Sequence, residues 1–281
     1  MRPGNRLCDV EVVDLKQESM RAVSDSLREG HYARKQIFCR DWLISWSHRS
    51  RFEIGLELAK QFAGGRVLDY GCGDGTFLAM LRAGPAAPAE AVGAEVSDTV
   101  IEDCRARLGG QGLSFIKLDE LDNACHEGTY DGVICMEVLE HLVEVGPILD
   151  TLDRLLSPSG RLLISVPVET GLPLLVKQAI RRIAGWRGVG DYPGTSPYTM
   201  REYWTSLFAD SKKRIERPIH WGADGSGVHD HKGFNWMALR ELLARRFVLE
   251  RTLASPITWL TPHLASQVWF VARKKTLAPS R

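Results

Sequence analysis

The chain has 281 residues, of which 44% are hydrophobic and 25% charged, and its formal net charge is +1. These fractions are ordinary for a globular protein, and the length allows one large core or a core with additions. The charge balance excludes an overall pull toward nucleic acid or membrane, and no apolar run reaches the ~20 residues that span a bilayer.

Residues 1–18 read as a loose leader without the apolar stretch of a secretory signal. The cysteines Cys8, Cys39, Cys72, Cys104, Cys125 and Cys135 are scattered, with no C-x-x-C pair. They read as buried or incidental thiols in a reducing compartment, so the cytoplasm is the expected location. Residues 19–62 read as helices, with a stripe of Leu56, Ala59, Lys60 and Ala63 and a stop at Gly64-Gly65. The aromatic segment 42–52 reads as a packed helix with a solvated basic edge at His48, Arg49 and Arg51. A lid over substrate is the alternative.

A short apolar run, Val67-Leu68, then meets Asp69 and three glycines at alternate positions, Gly71, Gly73 and Gly75, before a helical run. Strand, glycine turn and helix form the ligand-binding corner of a doubly wound α/β sheet. The G-x-G-x-G spacing differs from the G-x-G-x-x-G that seats a pyrophosphate, and Asp69 would repel one. Strands follow at 91–96, 113–118, 130–136 and 161–166, with helices at 98–108 and 145–156 and a turn at Ser157–Gly160. Such alternation predicts a parallel sheet with the carboxyl ends of its strands along one rim. Glu95 and Asp119 end two of these strands. An acid about 20 positions past the turn is placed for ribose hydroxyls.

The string CMEVLEHL (135–142), the PSGRLLISVP that follows (158–167) and the glycine turn occur in the order that resembles the class I S-adenosylmethionine-dependent methyltransferases. This resemblance covers about 66–167. It implies a Rossmann-like, seven-stranded, mostly parallel sheet with helices on both faces, an antiparallel last strand and an N-terminal helical cap. It implies that Asp69, Gly71, Cys72, Gly73, Gly75, Glu95, Asp119 and Glu137 bind S-adenosylmethionine, with Asp119 against the adenine amino group. It also implies methyl transfer, to an oxygen of a small molecule, glycan or lipid-linked intermediate. His141, just beyond the fourth strand, is the candidate base, because imidazole accepts a proton near neutrality. A structural histidine that hydrogen-bonds the loop is the other reading.

The E-x-x-E-H spacing with a late histidine also resembles the metal-assisted small-RNA 2′-O-methyltransferases and some quinone-pathway O-methyltransferases. The metal set would be Glu137, Glu140, His141 and His231, with His220 and His229 as substitutes for the last; the sequence itself commits to no metal. RNA 2′-O-methylation is thus one alternative, against which the lack of a basic face counts. A non-catalytic cofactor-binding scaffold is another.

The expected organisation is a leader and cap over 1–63, a cofactor-binding core over 64–167, an insertion over 168–233 and a closing helix with edge strands over 234–275. The closing elements are a helix at 235–246 and strands at 247–253 and 267–273. In the insertion, Leu172, Leu175, Val176, Ala179, Ile180 and Ile183 form a helical stripe. Lys177, Arg181, Arg182 and Arg187 lie beside it, with Trp186 near the end. The favoured reading packs this stripe on the core; the alternative lays 172–187 on a membrane surface. The loop 191–204, rich in Gly, Pro and aromatics, is a candidate substrate loop. The oligomeric state is not legible.

Overall fold

A computed structural model describes residues 27–110, 112–186, 196–222 and 225–275. The expected leader lies outside them, as do Arg187 and residues 191–195 of the expected substrate loop, whose remainder from Met200 on is helical.

In chain order the strands are β1 (Arg66–Tyr70), β2 (Glu90–Glu95), β3 (Leu113–Lys117), β4 (Tyr130–Met136), β5 (Leu156–Pro167), β6 (Ile219–Trp221), β7 (Gly227–His229), β8 (Phe247–Ser255) and β9 (Gln267–Lys274). Seven form one sheet of order β3-β2-β1-β4-β5-β9-β8, while β6 and β7 make a separate ribbon. β9 runs antiparallel to both of its neighbours, β5 and β8, as the resemblance implies for the last strand. Parallel central strands have both faces covered and so read as continuous apolar runs. Accordingly Val133, Ile134 and Cys135 of β4, and Leu162, Leu163 and Ile164 of β5, are fully buried.

The described residues form two compact units, one of 27–66 with 72–120 and the other of 67–71 with 121–275. In the first, α1 (Trp42–Ala59), α2 (Thr76–Ala83) and α3 (Asp98–Leu108) accompany β2 and β3. The core face of α1 is Phe52, Leu58 and Ala59, continued by Phe62 in the short 3-10 turn Lys60–Phe62. That face differs from the expected stripe, of which Lys60 and Ala63 are exposed. The 3-10 turn rotates the chain after Ala59 and brings the larger Phe62 inward. Arg51, expected on a solvated edge, is also buried. Its guanidinium lies over the rings of Tyr32 and Phe52, 5.9 and 5.8 Å from their centroids. That stacking offsets part of the cost of removing a cation from water.

The second unit carries α4 (Gly146–Leu155), α5 (Leu172–Trp186), α6 (Met200–Leu207) and α7 (Trp236–Arg246). Asn235 caps α7, its Oδ1 accepting from Met237 N at 3.1 Å and Ala238 N at 3.4 Å. The expected turn Ser157–Gly160 is absorbed into β5. The register shifts between the pairs Tyr130↔Leu156 and Gly132↔Arg161, so the extra residues bulge without ending the strand. On α5 Pro173 and Leu174 are buried, while Leu172 and Val176 are exposed. Of the expected stripe's described side chains, Leu172, Val176 and Ala179 are thus exposed and Leu175 is half-buried. The side chains of 180–187, which complete it, lie outside the described ones.

Cys39, Cys72, Cys104, Cys125 and Cys135 are free thiols, and burial pushes Cys104 up to about 12. Among the described residues no helix is long and apolar enough to cross a membrane.

Candidate functional site

The first unit holds most of the glycine turn. Gly75 has φ +73° and immediately precedes α2. A Cβ there would lie 2.8 Å from Phe115 Cε1 and 2.9 Å from Leu108 Cδ1, so this glycine is a packing requirement. Gly73 is different. Its φ is +53°, it is exposed, and nothing lies within 4 Å of where a Cβ would sit. The space on the Cβ side of Gly73 is therefore open. Glu95, at the end of β2, reaches this turn: its Oε2 accepts from Gly73 N at 2.9 Å and its Oε1 from Val96 N at 2.7 Å. Asp119 is exposed in the 3-10 turn Leu118–Asp122 that follows β3. Cys72 turns its thiol inward and uses its backbone N–H on Ala94 O at 3.1 Å.

Asp74, inside the turn, was not singled out from sequence. Its Oδ1 accepts from Thr76 N and Oγ1, at 3.2 and 2.6 Å. Its Oδ2 accepts from Tyr32 N at 2.8 Å and Ala33 N at 3.3 Å, tying the segment before α1 to the glycine turn. Tyr32 stacks on Phe52, which meets Phe77 of α2 edge-on. The Tyr32 hydroxyl and the Arg51 guanidinium both approach His48 Nδ1, at 2.7 and 3.0 Å. Burial and then the Arg51 charge push His48 down to about 3, so the imidazole stays neutral.

In the second unit Asp69, one residue before the end of β1, is fully buried. Gly71, at φ +75°, leaves no room for a side chain, since a Cβ would lie 2.5 Å from Val138 Cγ2. Glu137 follows β4 with φ +54°, a left-handed conformation uncommon for a residue other than glycine. Its N–H donates to Ser165 O at 2.9 Å, and its carboxylate accepts from Ser165 Oγ at 3.2 Å and Gln267 Nε2 at 3.4 Å.

Three of the four candidate metal ligands meet. One ligand atom each from Glu140, His141 and His231 lies within 4.8 Å of the others. Glu140 is fully buried and its Oε1 is 3.8 Å from His141 Nε2 and 4.0 Å from His231 Nε2. The two Nε2 atoms face each other at 3.3 Å. His141 Nδ1 lies 2.9 Å from His229 O, and a carbonyl can only accept, so Nδ1 carries the proton. Nε2 is then the basic nitrogen. Burial pushes His231 down to about 4, against the opposing pull of Glu137. The suggested substitutes for His231 are engaged elsewhere. His229 Nδ1 bonds Pro218 O at 2.8 Å, and His220 Nε2 lies 3.5 Å from Asp230 Oδ2.

Arg217, also missed from sequence, fixes this arrangement. It donates to the backbone carbonyls of Glu140, Asp230 and Lys232, and burial lowers its pKa to about 10. The bridge Leu142↔Val228 holds the ribbon against the same loop. Nearby, fully buried Glu169 pairs with Lys177 Nζ at 2.7 Å.

A family model described as a methyltransferase domain matches residues 45–211. The chain belongs to that methyltransferase-domain family. Its curated relatives include the ubiquinone biosynthesis O-methyltransferase of Thiobacillus denitrificans, 35% identical over 101 residues, which are 35% of this chain and 42% of that one. The demethylmenaquinone methyltransferase of Clavibacter sepedonicus is 36% identical over 114 residues, 40% of this chain and 45% of that one. The chain thus spans less than half the length of either relative. Among solved structures, the PH0226 protein of Pyrococcus horikoshii OT3 is 18% identical. It shares the fold at a TM-score of 0.54 over 88% of this chain and 98% of that one.

Proposed function

We propose that this methyltransferase-domain protein uses S-adenosylmethionine to methylate an oxygen of a small molecule, glycan or lipid-linked intermediate. The observation that carries the reading is the bare backbone at Gly73, with the Glu95 carboxylate on its N–H. An open, side-chain-free turn beside an acid fits a nucleoside that carries hydroxyls and an ammonium group. Glu95 and Asp119 are the proposed ribose and adenine contacts. The cofactor supplies a methyl group on a sulfonium leaving group, so the protein's task is alignment and proton removal. His141 would take the acceptor hydroxyl's proton at Nε2, while the His229 carbonyl holds the tautomer by accepting from Nδ1. The likeness to the ubiquinone biosynthesis O-methyltransferase of Thiobacillus denitrificans favours oxygen as the acceptor.

Calorimetry with S-adenosylmethionine tests the cofactor; binding that survives Glu95→Ala would sink the Glu95 role. Labelled-methyl incorporation into extract, split into lipid, glycan, RNA and small-molecule fractions, identifies the acceptor. Incorporation into RNA alone would replace the small-molecule reading, and cofactor binding without any incorporation would favour a scaffold.

The cluster of Glu140, His141 and His231 supports a second version of the acceptor chemistry. One buried carboxylate and two imidazoles, one of them strongly favouring its neutral form, fit a divalent cation of the zinc or manganese kind. A cation there would lower the pKa of an acceptor hydroxyl. Metal analysis of the purified protein, with Glu140→Gln as the control, separates this from the metal-free base. Full activity after thorough chelation would dismiss the cation.

A further inference from the structure

We propose that α6, with the basic turn behind it, seats the protein on an anionic lipid surface. This goes beyond methyl transfer and needs no turnover. An ordinary surface helix buries its apolar stripe and exposes its polar face. On α6 the two are exchanged. Ser206 is fully buried, and Glu202 is held by Lys232 Nζ at 2.9 Å. Lys232 is itself buried, and also donates to Pro197 O at 2.7 Å. Met200, Trp204 and Phe208, spaced four apart and so along one side of the helix, are 71%, 51% and 74% exposed. The Trp204 and Phe208 rings stack at 5.8 Å with an interplanar angle of 5°.

The helix is held in this orientation by its own start. Thr199 and Glu202 form a reciprocal capping box, so the exposed row belongs to a fixed element. The neighbouring helix α5, which packs against α6, exposes Leu172 and Val176 as well. A contiguous apolar row in water is costly and marks an interaction surface.

Charge selects the occupant. Directly after the row come Lys212, Lys213 and Arg214, all exposed, with Arg201 exposed on the helix itself. Two acids flank this run, exposed Glu216 and Asp210, and Asp210 directs its Oδ1 to the backbone N–H groups of Lys212 and Lys213, at 2.9 and 2.8 Å, so the three cations outnumber them. Aromatic side chains with adjoining cations match the boundary between headgroups and acyl chains of an anionic leaflet. This places the contact at 200–214, C-terminal to the segment that the sequence suggests.

The test is flotation of the full chain with vesicles of phosphatidylcholine plus phosphatidylglycerol, against phosphatidylcholine alone. The wild type is expected to float with the anionic vesicles and to release as salt rises. Replacing both rings, Trp204→Ser with Phe208→Ser, should lower the partition coefficient at least about tenfold. Lys212→Glu with Lys213→Glu should abolish the preference for anionic vesicles. Melting curves and cofactor affinity of each variant report its folding, and Trp204→Phe should retain binding. Failure of the wild type to float at low salt would overturn the proposal. So would equal flotation of the folded ring variant, or self-association through this face that keeps the protein off vesicles. Flotation without methyl transfer would leave it standing while the enzymatic reading failed.

Discussion

Two glycines in one turn should fail in opposite ways when given a methyl group. At Gly75 an alanine adopts a left-handed conformation, which costs an L-residue about 1–2 kcal/mol. Its Cβ would also press on Phe115 and Leu108 at 2.8–2.9 Å, and such overpacking costs about 1–3 kcal/mol. The loss of chain entropy in the unfolded state returns about 0.4–1 kcal/mol. Gly75→Ala should therefore destabilise by about 3 kcal/mol. Gly73→Ala carries the conformational cost but meets nothing within 4 Å, so it should destabilise by about 1 kcal/mol. In the proposed site, however, its methyl group would stand in the cofactor's way, and affinity for S-adenosylmethionine should fall at least about tenfold. Urea unfolding of both variants gives the stabilities and calorimetry gives the affinities. Equal destabilisation within about 0.5 kcal/mol, or wild-type cofactor affinity in Gly73→Ala, would refute the division of labour.

Stability should depend on pH through His48. The unfolded chain takes up its proton near 6.5, whereas the folded one resists until about 3, so its contribution is present above 6.5 and lost as pH falls through that window. The slope from this group is at most about 1.4 kcal/mol per pH unit, and His48→Gln should flatten it in urea midpoints measured between pH 7 and 4.5. Arg217→Met removes one donor from each of three carbonyls around the histidine pair and should cost about 2–4 kcal/mol. Methyl-transfer turnover should fall more than cofactor affinity, which steady-state kinetics with calorimetry will resolve. Lys177→Met removes one cation paired with fully buried Glu169 and should destabilise by about 1–3 kcal/mol by thermal or urea unfolding, with Lys177→Arg recovering most of it.

What the sequence made legible is what local pattern controls. β4 runs over the predicted residues because its apolar run is bounded by Gly128 and by the polar loop after Met136. The helix Asp98–Leu108 likewise begins after Ser97 and stops at Gly109. Gly73 and Glu95 were legible because spacing along one strand–turn–helix unit fixes their separation. Arg217 carries no such signature. It lies in an irregular basic stretch, and only contacts 77 residues away with Glu140 and 13 away with Asp230 explain its burial. Arg51 misled for a related reason: aromatic rings from Tyr32 and Phe52 make a buried guanidinium tolerable, and periodicity does not show that. The α6 face was hidden because its inward partner, Lys232, comes 30 residues later in the chain than Glu202.

The pairing of His141 with His231 joins positions 90 residues apart, whereas Gly73 and Glu95 are separated by 22. As the chain leaves the ribosome, the turn and its acid can come together early, with little entropy to lose in closing so short a loop. The basic nitrogen of His141 gains its neighbour only after the ribbon Ile219–His229 has been made and docked. Under the roles proposed above, the turn assigned to the nucleoside would thus close before the nitrogen assigned to proton removal gains its neighbour.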